Sequence, residues 1–264
     1  MRRLRIALQV GLVIATAVAG VRYAMGTSLA SVEKYCPFGG LETAHALVAR
    51  QRFTCAAGEL NLSLFVALLL LTLLARKAFC GWVCPLGAVF EWTGRLGRRL
   101  FKRQTYEGIL HLSPRTDAVL KVVFRTVVLG VILAATWTTG DLVFRGYDPY
   151  YVLFSAHGHD VRMWSYGLLA ALLGLGMLLP LAWCKYLCPL GTALWPFASA
   201  GRLRLRRSDD HCTGCGACSR ACPQALEVSG VPEVRSGECT LCLECTEACA
   251  APGALELHWK GRGR

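Results

Sequence analysis

The chain has 264 residues, a formal net charge of +12 and 54% hydrophobic residues, and its mean hydropathy is +0.42. This hydropathy excludes intrinsic disorder and is too high for an ordinary soluble enzyme, so a membrane protein is expected. The 14 cysteines do not suit a small secreted disulfide scaffold, because the chain is too long and too apolar. Clustered cysteines here favour metal binding.

Four apolar stretches predict membrane-spanning helices. Each is near the ~20 residues that cross ~30 Å of hydrocarbon. The first follows three arginines and resembles a signal peptide, but three further spans favour an uncleaved anchor. The stretches cover residues 6–25, 60–75 (with an end that could continue to 79), 122–140 and 165–183.

Lysine and arginine are unevenly distributed among the connections between these stretches. They concentrate at the N-terminus, in residues 76–117 and after the fourth stretch, and are fewer in residues 26–59 and 141–164. The positive-inside rule therefore predicts that both termini lie in the cytoplasm, with residues 26–59 and 141–164 on the outer side. Basic connections also explain the net charge more simply than nucleic-acid binding, so no nucleic-acid partner is expected.

The second and fourth stretches are each followed by the same motif, Cys-x3-Cys-Pro-Leu-Gly. It contains Cys80 and Cys84 in the first copy and Cys184 and Cys188 in the second. The chain is thus predicted to form two helical hairpins that end alike at the inner membrane face. Buried free cysteines often act as small hydrophobic residues, but the duplication favours a redox, metal or cluster-supporting role. Ligation, disulfide formation and packing against the tail all remain open.

Residues 205–264 carry two runs of four cysteines with the spacing of bacterial ferredoxins that bind two [4Fe–4S] clusters. In that pattern, three closely spaced cysteines bind one cluster and the fourth reaches across to the other. Zinc sites more often use two separated Cys-x-x-Cys pairs. The predicted ligands are Cys212, Cys215, Cys218 and Cys249 for cluster 1, and Cys239, Cys242, Cys245 and Cys222 for cluster 2.

These features predict an α-helical membrane protein with four transmembrane helices in two hairpin repeats, plus a small C-terminal α+β ferredoxin domain. The membrane domain is expected over residues 1–204, and the cytoplasmic 2[4Fe–4S] ferredoxin domain over residues 205–264. Two similar segments, residues 223–228 and 252–257, are each predicted to form a short strand of that domain.

Together, the spans, the duplicated motif and the tail resemble the NapH-type membrane iron–sulfur proteins, which include the membrane core of NosR and MauN. Residues 35–42 and 147–150 also resemble the outer loops of this group. The resemblance implies a multi-pass protein of the bacterial inner membrane that passes electrons from quinol towards a periplasmic iron–sulfur or cytochrome partner. The large flavin-binding portion of NosR is absent, so no covalent flavin is expected.

Other cofactors have no visible motif. Neither Cys-x-x-Cys-His nor Gly-x-Gly-x-x-Gly occurs, so we expect no c-type haem and no dinucleotide site. Cys36 and Cys55 fall in one outer connection, where they could form a disulfide or contact the cofactor of a partner.

A quinol site is predicted at the outer ends of the third and fourth spans. Aromatic rings there can clamp a quinone, and histidine or carboxylate can accept its protons. An interfacial aromatic belt would have the same composition, and a rival slot lies inside near the motif turns. The candidate proton acceptors are Asp141, Asp148, His157 and His159, and the aromatic residues are Trp137, Tyr147, Tyr150 and Tyr151.

Two functions compete at this point. The first is a membrane-bound electron-transfer subunit that connects the quinone pool with a periplasmic oxidoreductase. The alternative is a redox-active maturation or regulatory polyferredoxin for a metalloenzyme.

Overall fold

A computed structural model describes residues 1–27, 39–40, 58–102, 114–139, 147–155 and 161–260. The described part is mostly helical, with one small sheet near its C-terminal end. The helices are α1 (Arg2–Ala24), α2 (Gly58–Ala75), α3 (Ala78–Trp82), α4 (Pro85–Leu100), α5 (Pro114–Thr139), α6 (Pro149–Phe154), α7 (Met163–Leu178), a π-helical turn (Trp183–Leu187), α8 (Pro189–Ala200), α9 (Ala217–Arg220) and α10 (Glu244–Glu247); the strands are β1 (Leu203–Arg207) and β2 (Leu255–Trp259).

Two of these helices are long and apolar enough to cross a membrane. They are α1 and the part of α5 from Val119 to Thr139, whereas Leu60–Ala75 and Met163–Leu178 are shorter apolar helices. Length and composition thus support two of the four predicted spans, and the other two stay predictions.

The helix that follows each motif packs against a helix of the other repeat. Helix α4 comes from the first repeat but packs against α7 of the second, and α8 packs against α2 and α5. The close approach of α4 to α7 depends on glycine: a Cβ on Gly94 would lie 3.2 Å from Pro180, and one on Gly176 would lie 3.3 Å from Phe90. This crossed packing brings the two motifs together.

The tail domain is built on one antiparallel strand pair. β1 pairs with β2, with Leu203 opposite Trp259 and Arg207 opposite Leu255. The strand predicted over residues 223–228 was wrong, because residues 225–228 form no strand and β2 takes β1 as its partner. The second predicted strand exists but is shifted to 255–259, and β1 begins two residues before the predicted domain boundary. Val228 instead enters the core of the tail beside Leu205 and Val234.

Candidate iron–sulfur site

The cysteines assigned to cluster 2 surround one cavity. Its empty space, including the open mouth, is about 350 Å³, and apolar side chains such as Leu205, Val228 and Val234 complete its wall. The fourth cysteine of the first run thus joins three of the second run, which is the crossing arrangement of a two-cluster ferredoxin. The four cysteines on the wall are Cys222, Cys239, Cys242 and Cys245.

The cysteines assigned to cluster 1 lie nearer the solvent. Cys218 is within electrostatic range of Cys212 and Cys249, and Cys215 is exposed. A hydrogen bond from Arg207 and another from the backbone of Gly214 hold the pKa of Cys212 below its usual value. Donors of this kind stabilise thiolates, the form that binds iron.

The cysteines assigned to cluster 2 are more buried than those assigned to cluster 1, and a buried cation lies beside them. Burial raises the pKa of Cys242 to about 11. Arg76 is fully buried and donates from Nη1 to the Val234 carbonyl at 2.8 Å and from Nη2 to the Arg235 carbonyl at 2.6 Å. Its guanidinium also interacts with Cys239, and its Nε has no oxygen or nitrogen acceptor among the described residues.

The first motif turn contacts the wall of cluster 2, and the second lies near it. Trp82 Nε1 donates to the Leu241 carbonyl at 2.9 Å, and a Cβ on Gly81 would lie 2.7 Å from the Thr240 carbonyl oxygen. In the second motif, Lys185 occupies the position equivalent to Gly81. It is buried and interacts electrostatically with both Cys222 and Cys184. The ferredoxin loop therefore packs directly on the first turn and lies within electrostatic range of the second.

Glu238, directly before Cys239, ties the tail to the membrane domain. Its Oε2 accepts from Lys77 Nζ at 2.9 Å, and its Oε1 accepts from Arg125 Nη1 at 2.5 Å. Arg125 Nη2 in turn donates to the Cys184 carbonyl at 3.0 Å. Burial acts to raise the pKa of Glu238, but Lys77 and Arg125 outweigh it, so the pKa lies below its usual value.

A second buried ion network joins the beginning of the chain to its tail. Arg5 pairs with Glu91 at 2.9 Å and also with Glu244, and Arg95 pairs with the same two carboxylates at 2.8 and 2.6 Å. Gln9 donates to Glu91 at 3.0 Å. Sequence reasoning did not find Glu91, Glu238 or Glu244. The available signal was an acidic residue directly before a ligand cysteine, as at Glu238 and Glu244.

The motif cysteines begin helices in the same way in both repeats. Cys84 is the N-cap of α4 and Cys188 is the N-cap of α8, each followed by proline at the first helical position. All four motif cysteines are half-buried and free of disulfides. They contact two adjoining apolar clusters, which share Cys188.

The predicted quinol residues are only partly described. Asp148 caps α6 by accepting from the Tyr150 backbone N–H at 3.1 Å, and burial raises its pKa to about 7. It lies within electrostatic range of Cys84 and Cys188, and Tyr150 packs into the same apolar cluster as these thiols. Asp148 and Tyr150 therefore lie beside the motif turns, at the rival slot, and their predicted position at a separate outer site was wrong. Asp141, His157, His159, Cys36 and Cys55 lie outside the described residues.

Comparison with known proteins finds related sequences and family models. A family model described as "4Fe-4S binding domain" matches twice, at residues 58–104 and 161–208, and one described as "4Fe-4S dicluster domain" matches residues 204–250. The putative electron transport protein YccM of Escherichia coli is 30% identical over 85% of this chain and 62% of its own length. The ferredoxin-type protein NapH of Haemophilus influenzae is 28% identical over 70% of this chain and 63% of NapH.

The chain belongs to the NapH-type family of membrane ferredoxins. The regulatory protein NosR of Pseudomonas aeruginosa is a further relative, 31% identical over 66% of this chain but only 24% of NosR. The chain spans about 62% of the length of YccM. No solved structure matches it significantly. As a NapH-type protein, it is a ferredoxin-type 4Fe–4S protein.

Proposed function

We propose that this NapH-type chain is a membrane-bound electron-transfer subunit that passes single electrons between the quinone pool and a periplasmic iron–sulfur or cytochrome partner. The observation that carries the proposal is the direct packing of the cluster 2 wall on the first motif turn, at Gly81 and Trp82. Lys185 of the second turn lies within electrostatic range of Cys222. A ferredoxin attached only by a flexible linker would lack these contacts. In this proposal the chain crosses the bacterial inner membrane four times, with both termini in the cytoplasm.

The tail is proposed to bind two [4Fe–4S] clusters with the crossed ligand sets given above. The cavity bounded by Cys222 and three cysteines of the second run supports cluster 2, and the thiols near Cys218 support cluster 1. Quinol oxidation releases two electrons and two protons, so two one-electron centres can take both electrons.

Replacing Cys218 by alanine should remove cluster 1 and leave cluster 2 in place, because Cys218 belongs only to the first set. The loss should be about four iron and four sulfide per chain, and Cys245→Ala should remove the same amount from cluster 2. Iron and sulfide analysis of anaerobically purified protein, with electron paramagnetic resonance (EPR) spectra of the reduced form, measures this. Purified wild-type protein that holds stoichiometric zinc and no iron would contradict the assignment.

The quinol is proposed to bind where Asp148 and Tyr150 approach the motif turns; the other predicted proton acceptors, Asp141, His157 and His159, lie outside the described residues. A buried carboxylate whose pKa is near 7 can take up a proton released by quinol near neutral pH. The aromatic ring of Tyr150 and the surrounding apolar side chains suit the quinone ring.

Replacing Asp148 by asparagine should slow quinol-dependent reduction of the clusters by 100-fold or more, since a general base contributes about 10²–10⁴-fold. Dithionite reduction, which needs no proton acceptor, should stay unchanged. Asp210→Asn is the matched control, because Asp210 is exposed in the tail. Equal quinol-dependent rates in both variants would remove Asp148 from the site.

The maturation or regulatory alternative is favoured by one observation, the similarity to NosR, which is named as a regulatory protein. Co-purification with a periplasmic iron–sulfur or cytochrome subunit supports electron transfer. Restoration of a metalloenzyme's activity by added copper in a strain lacking the chain supports the alternative.

A further inference from the structure

The four motif cysteines form one group, because Cys80 and Cys188 pack against one apolar cluster and Cys84, Cys184 and Cys188 pack against the adjoining one. Cys80 and Cys84 interact electrostatically with Cys188 of the other repeat, and Cys184 interacts with both Cys80 and Cys84. The crossed packing of α4 and α8 explains this, because each helix begins at a motif cysteine and runs into the other repeat. The sequence duplication therefore produces a single four-thiol site.

Burial raises the pKa of all four thiols, and backbone donors at the two helix starts oppose this effect at Cys84 and Cys188. Cys84 Sγ accepts from the Gly87 N–H at 3.4 Å, and Cys188 Sγ accepts from the Gly191 N–H at the same distance. Helix N-termini stabilise thiolates through their free N–H groups and the helix dipole. Gly87 is required for this turn, because a Cβ there would lie 2.5 Å from the Cys80 carbonyl oxygen.

Buried cations partly oppose the effect of burial. Arg125 donates to the Cys184 carbonyl at 3.0 Å, and its buried Nε has no oxygen or nitrogen acceptor among the described residues. Lys77 interacts electrostatically with Cys80 and Cys188, and Lys185 interacts with Cys184. Asp148 and Glu238 are nearby negative groups, and Glu238 is also the ion-pair partner of Lys77 and Arg125.

Each match to the 4Fe–4S binding model contains only two cysteines, Cys80 and Cys84 in one and Cys184 and Cys188 in the other. Because a [2Fe–2S] or [4Fe–4S] cluster takes four thiolates, neither repeat can bind one alone. The two repeats together supply the full set.

We propose that Cys80, Cys84, Cys184 and Cys188 jointly bind a third iron–sulfur cluster, cluster 3, between the two repeats. The proposal rests on the electron-transfer function and adds a relay to it. Cluster 3 would lie between cluster 2, whose wall contacts the first motif turn, and the segment of Asp148 and Tyr150. One electron that leaves cluster 3 oxidises it by one unit and reduces cluster 2 by one, or the reverse.

The test counts iron and acid-labile sulfide in the full-length protein, purified anaerobically in detergent. Wild-type protein should contain about ten iron if cluster 3 is [2Fe–2S], and about twelve if it is [4Fe–4S], against about eight for the tail alone. The double variant Cys84→Ser/Cys188→Ser should return to about eight iron, with the EPR signals of clusters 1 and 2 unchanged. The double variant Cys218→Ala/Cys245→Ala should retain only the iron of cluster 3.

About eight iron in wild-type protein, or extra metal that proves to be zinc without sulfide, overturns cluster 3 even if the serine variant fails to fold. Quinol-dependent reduction is measured on the same wild-type sample. Reduction of clusters 1 and 2 with only eight iron present would reject cluster 3 and leave the proposed function intact. Extra iron without quinol-dependent reduction would support cluster 3 and count against the quinol proposal.

Discussion

Replacing Glu238 by glutamine should loosen the ferredoxin tail from the membrane domain. Lys77 and Arg125 are both buried, and each would lose its charged partner on Glu238. Leaving a buried charge unpaired costs about 3–5 kcal/mol. We therefore expect the free energy of unfolding of the docked tail to fall by about that amount, and electron exchange between the tail and the membrane domain to slow.

Limited proteolysis of the tail and thermal unfolding in detergent measure this loss. The control is Glu256→Gln, because Glu256 is exposed on β2 and a surface change of this kind stays within about 0.5 kcal/mol. Because the pKa of Glu238 is lowered on folding, its contribution should be complete above its ordinary value of 4.5. It should be lost as the pH falls through the lowered pKa. Equal stability of the two variants would show that Glu238 does not hold the tail.

Replacing Arg76 by glutamine should lower the reduction potential of cluster 2 and leave that of cluster 1 unchanged. Reduction adds a negative charge to the cluster, and the buried guanidinium beside Cys239 stabilises that charge. We expect a shift of about 60 mV, which corresponds to about a tenfold change in the equilibrium constant for one electron. Arg76 interacts with Cys239, a predicted ligand of cluster 2, so its loss should leave the potential of cluster 1 unchanged.

EPR-monitored redox titration of both clusters in the same sample measures this shift. Arg76→Lys is the matched control, because it keeps the positive charge and loses the two-carbonyl contact with Val234 and Arg235. Its potential should lie between those of wild type and Arg76→Gln. Equal shifts of both clusters would indicate a general disturbance of the tail and contradict a local effect of Arg76.

The sites that sequence reasoning could predict were those whose information is local. Ferredoxin ligands recur at fixed intervals, so the cysteine runs that begin at Cys212 and Cys239 could be recognised without a structure. The strand predicted at 223–228 failed because its resemblance to 252–257 says nothing about pairing. The partner strand, Leu203–Arg207, lies before the first cysteine and does not belong to the repeat.

The ion networks could not be predicted, because their members are far apart in sequence. Arg5 and Glu91 are separated by 86 residues and Arg5 and Glu244 by 239, and no local pattern pairs them. Two of the basic residues in these networks, Arg5 and Lys77, were interpreted as part of a topology signal. Arg5, Lys77 and Arg125 are in fact buried partners of carboxylates, so part of the basic excess near the spans has a structural role.

The sequence could predict the start of the helix at Asp148 but not the position of this helix in the fold. Asp148 followed by Pro149 is a typical helix start, with a capping carboxylate and proline at the first helical position. Its approach to Cys84 and Cys188 depends on the packing of α6 against α1 and α7. The sequence could therefore indicate the short helix but not its depth.

The network of Arg5, Glu91, Arg95 and Glu244 has a consequence for biogenesis. Glu244 follows Arg5 by 239 residues, so it is synthesised much later. Glu244 begins the turn that carries Cys245, so its position depends on a tail folded around its iron. Before the tail folds, Arg5 and Arg95 carry two positive charges and Glu91 carries one negative charge. One buried positive charge then has no partner. A newly made chain without iron therefore also lacks a stabilising ion pair at α1. Membrane quality-control proteases would recognise such a chain as incompletely folded.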